Sequence, residues 1–91
     1  MTTVLTRITE IKKKEGFDIW HIRSAGKIVK VTKSGVLGVW PYRNRTRDTH
    51  TVKEFREKFA AAYPGCTCAV LRGDGTVVHG NTLLQQVRAT Y

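Results

Sequence analysis

Phe17-Asp-Ile-Trp-His-Ile-Arg23, Lys27-Ile-Val-Lys-Val-Thr-Lys33 and Val36-Leu-Gly-Val-Trp-Pro-Tyr42 are three short runs rich in Val, Ile and Trp. Ser24-Ala-Gly26 and Ser34-Gly35 separate them. β-branched and aromatic residues suit a pleated, half-buried surface, and short Gly-containing breaks suit tight reversals, so the spacing predicts an antiparallel three-stranded meander. Side chains two apart on a strand share a face. That rule places Trp20 with Ile22, Val29 with Val31, and Leu37 with Val39 on a side packed by helices. The opposite side receives His21 and Arg23, Ile28 and Lys30, and Trp40 and Tyr42. Phe17 and Ile19 have the parity of that second side, which argues that it is partly covered.

Upstream, Val4, Ile8 and Ile11 recur at helical spacing beside Leu5, and Lys12-Lys-Lys14 followed by Gly16 suits a helix C-terminus. Residues 3–14 are therefore expected to be a helix, with an edge strand as the alternative because Thr2, Thr3, Thr6 and Thr9 also favour extended backbone. Downstream, Arg43 to His50 contains no apolar residue and reads as a loop. Thr51-Val-Lys-Glu54 then matches a capping box. Val52, Phe55, Phe59 and Tyr63 form the inner stripe of the helix it opens, which Pro64-Gly65 ends. Cys66 to Leu71 and Thr76 to His79 flank Gly73-Asp-Gly75 as a hairpin, and Asn81 is placed to cap a short helix with Leu83, Leu84 and Val87 turned inward. The expected fold is α+β, in the order αβββαββα, as one domain spanning 1–91.

Ninety-one residues support one core, burying roughly 60–65% of the unfolded surface, which leaves little room for a large cofactor pocket. No cofactor is expected. No run approaches the ~18 apolar residues of a membrane span, and the N-terminus lacks the apolar centre of a signal peptide. A complete, cytoplasmic chain without a membrane partner is the expectation, as a monomer or weak homodimer. Two cysteines in the spacing Cys66-x-Cys68 make no disulfide framework and read as reduced. Cys66, Cys68, His50 and His79 lack the C-x₂₋₄-C spacing of structural zinc, so no metal is expected. A nucleophilic Cys68 and His79 pair lacks an orienting third group, and buried structural cysteine is the preferred reading. The glycines match neither a dinucleotide-binding nor a P-loop pattern.

Charge carries the functional signal. Sixteen Lys and Arg against seven Asp and Glu give a net charge of +9. From Ile19 to Arg47 the chain holds Arg23, Lys27, Lys30, Lys33, Arg43, Arg45 and Arg47 with no acidic side chain. Such clustering costs folding free energy through repulsion that a bound polyanion relieves. The leading expectation is a nucleic-acid-binding protein, DNA or RNA, without catalysis. Arg23, Lys30, Lys33, Arg43, Arg45 and Arg47 would contact phosphates, and Trp40 and Tyr42 would stack on bases. Both rings become core instead if the first segment or the C-terminal hairpin covers their face. The loop Arg43-Asn-Arg-Thr-Arg47 runs towards the helix opened at Thr51, whose first-turn N–H groups would add to a phosphate site unless Asp48 already fills them. A second expectation is an interaction or inhibitor protein, of the kind small phage or mobile-element genes encode, docking on an acidic or nucleic-acid-binding host protein. A third is a metal-independent ribonuclease using His21 as general acid or base.

The order helix, three-strand meander, helix over residues 3–63 resembles the topology of double-stranded RNA-binding domains and of small HicA-like toxin ribonucleases. Ile11-Lys-Lys-Lys-Glu-Gly-Phe17 is similar to the helix end and strand start of the second group. Ile19-Trp-His-Ile-Arg23 lacks that group's glycine and serine before the histidine, and Glu54 and Glu57 stand where the first group concentrates lysine. The resemblance implies a fold analogy, and Gly65 to Tyr91 have no counterpart in it.

Overall fold

The computed structural model describes residues 2–91; Met1, the first residue of the expected domain, lies outside the described residues. Three helices and a three-stranded antiparallel sheet follow the order α1 (Val4–Glu15), β1 (Asp18–Ser24), β2 (Lys27–Ile28), α2 (Val52–Ala62), β3 (Cys66–Leu71) and α3 (Leu84–Arg88). The class is α+β, and the order of elements departs from the expected one.

Of the segment 3–14, expected as a helix or an edge strand, residues from Val4 onward are helical and Thr3 is extended. Thr3 caps α1 by accepting from the Thr6 N–H, and Gly16, at φ 83°, closes it in the left-handed region. The N–H groups of Val4 and Leu5 donate to the carbonyls of Lys33 and Val31, each at 2.9 Å. The segment expected as the second strand therefore leaves the sheet after Ile28 and caps α1. Val36 to Tyr42 forms no strand. It contains Gly38 and Pro41, which weaken a ladder, and its Trp40 gains more by sinking into the core.

The third place in the sheet belongs to Cys66–Leu71. The strand order is β2-β1-β3, and β1 pairs β3 antiparallel from Asp18↔Leu71 to Ser24↔Cys66. A strand arriving after α2 thus replaces the meander, so the topology over 3–63 is not the one that suggested the double-stranded RNA-binding and toxin resemblance. Beyond Leu71 the turn closes as read, with Arg72 N–H donating to the Thr76 carbonyl at 2.9 Å. The second arm of the expected hairpin is a single bridge, Leu71↔Val77.

One irregularity corrects the face assignment. Trp20 pairs Ala69 while Arg23 pairs Thr67, so β1 carries one extra residue between them, and His21 sits there at φ 51°. The bulge lets Ile19 and Ile22 both face the core, at 0% and 2% exposure, while Trp20 is half-buried. Simple alternation assigned Ile19 to the other face. Val39, expected inside, is exposed.

The core joins α1 through Val4, Ile8 and Ile11, the sheet through Ile19, Ile22, Cys68 and Val70, and α2 through Val52, Phe55 and Phe59. Phe17 meets Phe55 edge to face at 4.8 Å between centroids. Trp40 lies 6.1 Å from Phe55, 6.2 Å from Phe59 and 5.9 Å from Tyr63. Leu84 and Val87 of α3 complete this cluster, whereas Leu83 is half-buried. No helix among the described residues is long and apolar enough to cross a membrane.

Candidate nucleic-acid interface

An acidic side chain at a helix C-terminus opposes the helix dipole, and Glu15 is such a residue, following three lysines at the end of α1. Its carboxylate is fully buried. It accepts the Thr46 backbone N–H at 2.7 Å and 2.9 Å on its two oxygens, and the Thr46 hydroxyl at 3.0 Å. Lys58 Nζ lies 3.7 Å away and Arg88 Nη2 4.0 Å away. A buried charge needs such compensation, and here hydrogen bonds and two cations supply it.

This contact fixes the middle of the loop that carries the arginines. Lys58 Nζ adds bonds to the Thr46 hydroxyl at 3.0 Å and the Asn44 carbonyl at 3.4 Å. Arg88 ties the same corner to α3, donating from Nε to the Glu15 carbonyl at 2.7 Å and from Nη1 to Asp48 at 2.6 Å. Arg43, Arg45 and Arg47 surround the anchored Thr46 and are exposed. Among the described residues none of the three makes an ion pair, whereas Arg7, Lys12, Lys14, Lys58 and Arg88 do.

The expected helix-terminus contribution to a phosphate site is absent. Val52 N–H donates to the Thr82 carbonyl and Lys53 N–H to the Gly80 carbonyl, each at 2.9 Å. Glu54 N–H is held by the Thr51 hydroxyl in a complete capping box. With its first turn already bonded, α2 has no free donors there for a ligand. Asp48 does not fill those groups; it pairs with Arg88.

The remaining expected residues do not share one face. Lys30 and Lys33 join Lys27 and Thr32 around a concavity of about 510 Å³ near the start of α1. That end is about 18 Å from Glu15 along the twelve-residue helix. Arg23 is exposed on β1 and lines a separate concavity with His21, Arg56, Thr67 and Val77. Trp40, expected to stack on bases, is 2% exposed and offers no free ring. Tyr42 is half-buried, with its hydroxyl 3.4 Å from the Lys58 carbonyl and Lys58 Nζ 4.4 Å from its ring centre. Its π face is already in contact with a cation.

The other chemistry read from the sequence finds no assembled site. His21 is exposed at the bulge, and among the described residues no hydrogen bond or ion pair orients its ring. Burial pushes the Cys68 thiol up to about 12, far from the low values of a reactive thiolate. His79 is exposed, and among the described residues no group of three or more His, Cys, Asp or Glu is placed to hold a metal. The positioning residues Glu15, Thr46 and Lys58 are not evident from charge counting. The one signal for them is the acidic residue at the wrong end of a helix dipole.

Comparisons of the chain with protein-family models, with curated protein sequences and with solved structures find no match.

Proposed function

We propose that this chain is a small nucleic-acid-binding protein that contacts phosphates without catalysis, through the loop Arg43 to Arg47 and the lysines near the start of α1. The observation that carries the reading is the pinned loop: three exposed, unpaired arginines flank a residue whose backbone is held by a buried carboxylate. Arginine forks pair readily with phosphate oxygens, and a loop fixed before binding loses less entropy on complex formation. With Trp40 enclosed, the contacts are to the backbone rather than to stacked bases, so affinity should depend weakly on sequence.

The test is fluorescence anisotropy of labelled single-stranded and duplex DNA and RNA at about 50 and 200 mM salt, for the native chain and an Arg43→Ala/Arg45→Ala/Arg47→Ala variant. The expected result is binding that weakens steeply with salt, with a log–log slope shallower by about 2–3 units in the variant. Negligible binding to all four nucleic acids at the lower salt would overturn the reading.

A further inference from the structure

We infer that the outer edge of β3 takes up an extended acidic peptide as an added strand. β3 is an edge strand in the order β2-β1-β3. The Val70 carbonyl accepts the Val78 N–H at 2.9 Å, which shows that the Val70 backbone points away from β1. In an antiparallel ladder alternate residues point the same way, so the Cys68 N–H and carbonyl also face outwards. Among the described residues neither has a partner on that side. The chain covers the positions on both sides of Cys68: the Cys66 N–H donates to the Tyr63 carbonyl, the Val70 carbonyl accepts from Val78 and the Arg72 N–H donates to the Thr76 carbonyl. After Val78 it leaves the sheet, and the Gly80 and Thr82 carbonyls go to α2 instead.

Exposed edges are usually guarded by charges or proline within the strand. Cys66-Thr-Cys-Ala-Val-Leu71 has neither, and the side chains on either side of the open Cys68 position, Thr67 and Ala69 on the outer face of the sheet, are small. Val77, at 57% exposure, gives a neighbouring apolar contact. Shallow concavities follow this edge, and Arg56 lines three of them. Lys53 and His79 stand alongside, Arg23 and His21 reach one of these concavities from β1 across the sheet face, and Glu57 is the opposing charge.

These features select the occupant. A second copy paired through β3 would bring Arg56 and Lys53 against their own counterparts, and like charges disfavour that contact. The phosphates of a nucleic acid supply acceptors only, whereas Cys68 presents both a donor and an acceptor. A peptide strand matches both, and acidic side chains on it meet the surrounding cations.

The probes are a ten-residue peptide alternating valine with glutamate, its lysine counterpart, and a short duplex RNA. Amide hydrogen exchange is followed residue by residue in the native chain, with anisotropy for affinity. The glutamate peptide is expected to slow exchange at Cys68 by at least about tenfold at saturation and to bind at least about tenfold more tightly than the lysine peptide. Lys53→Glu/Arg56→Glu, both exposed helical positions, should lower that affinity by about tenfold or more at unchanged melting temperature. The Arg43, Arg45 and Arg47 triple alanine variant should bind the peptide normally, which separates this site from the phosphate reading. Unchanged exchange at Cys68 with the peptide, equal binding of the lysine peptide, protection of Cys68 by RNA, or a dimer that protects Cys68 without peptide would each overturn the inference.

Discussion

The Glu15 carboxylate grips the Thr46 backbone N–H with both oxygens, at 2.7 Å and 2.9 Å, from a position closed to solvent. Removing it strands the Thr46 donors and leaves Lys58 without a carboxylate partner, while Arg88 keeps Asp48. Glu15→Ala should therefore cost about 3–5 kcal/mol, lowering the melting temperature by at least about 12 °C. Glu15→Gln keeps one acceptor and should cost less. Thermal denaturation followed by circular dichroism ranks the two; equal melting temperatures for native and alanine chains would refute the role.

Trp40 should behave as core and not as interface. Trp40→Ala is expected to cost about 3–5 kcal/mol, because the ring fills the space between Phe55, Phe59 and Tyr63. In a Trp20→Phe background, Trp40 should emit at short wavelength and its emission should not change when nucleic acid binds. Quenching on binding would show a base reaching the ring.

Stability should decline in alkali. Burial raises Tyr63 from 10.0 to about 12, and Cys68 from 9.0 to about 12. Above the unfolded values the unfolded chain has lost these protons while the folded chain retains them, so stability falls as pH rises. The stabilisation is complete below pH 9 and is lost between pH 9 and about 12. Urea titrations across that window should show falling midpoints, and Tyr63→Phe should flatten the upper part of the decline. Midpoints unchanged up to pH 11 would contradict both shifts.

Gly73 is required by close approach rather than by an unusual dihedral. A Cβ there would stand 2.0 Å from the Thr90 carbonyl oxygen, a backbone atom that cannot rotate aside. Gly73→Ala should cost about 1–3 kcal/mol and release the bonds that join Gly73 to Thr90 and Tyr91 to Leu71. Faster hydrogen exchange at Gly73 and Asp18, whose N–H groups donate to Thr90 and Tyr91, is the expected accompaniment.

The parts of this fold legible in the sequence are those with local causes. The capping box at Thr51 and Glu54, the stripe of Val52, Phe55 and Phe59, and the Gly16 stop each act within a few residues, and α1 and α2 follow them. The sheet depends on a competition between distant segments. Val36 to Tyr42 and Cys66 to Leu71 both suit the place beside β1, and the outcome turns on where Trp40 is best buried. The bulge at His21 shifts face parity after Trp20, which period-two counting cannot anticipate. For the candidate site, composition located the arginine loop, and its rigidity depends on Glu15, thirty-one positions away in the chain. The separation of Lys30 and Lys33 from Arg23 follows from the second strand ending at Ile28, after which the segment turns to cap α1.

The pairing of β1 with β3 also governs how the chain reaches this structure. The hairpin of β1 and β2 closes through a tight turn, but the other side of β1 must wait for a segment beyond α2, and bringing it back requires closing a long loop before the ladder repays the lost entropy. A two-stranded ribbon with one helix is marginal in water. Folding is therefore expected to be a single late event set by the meeting of residues 18–24 with residues 66–71, at the slower rate of non-local topologies, and a chain ended after Gly65 should show no cooperative transition.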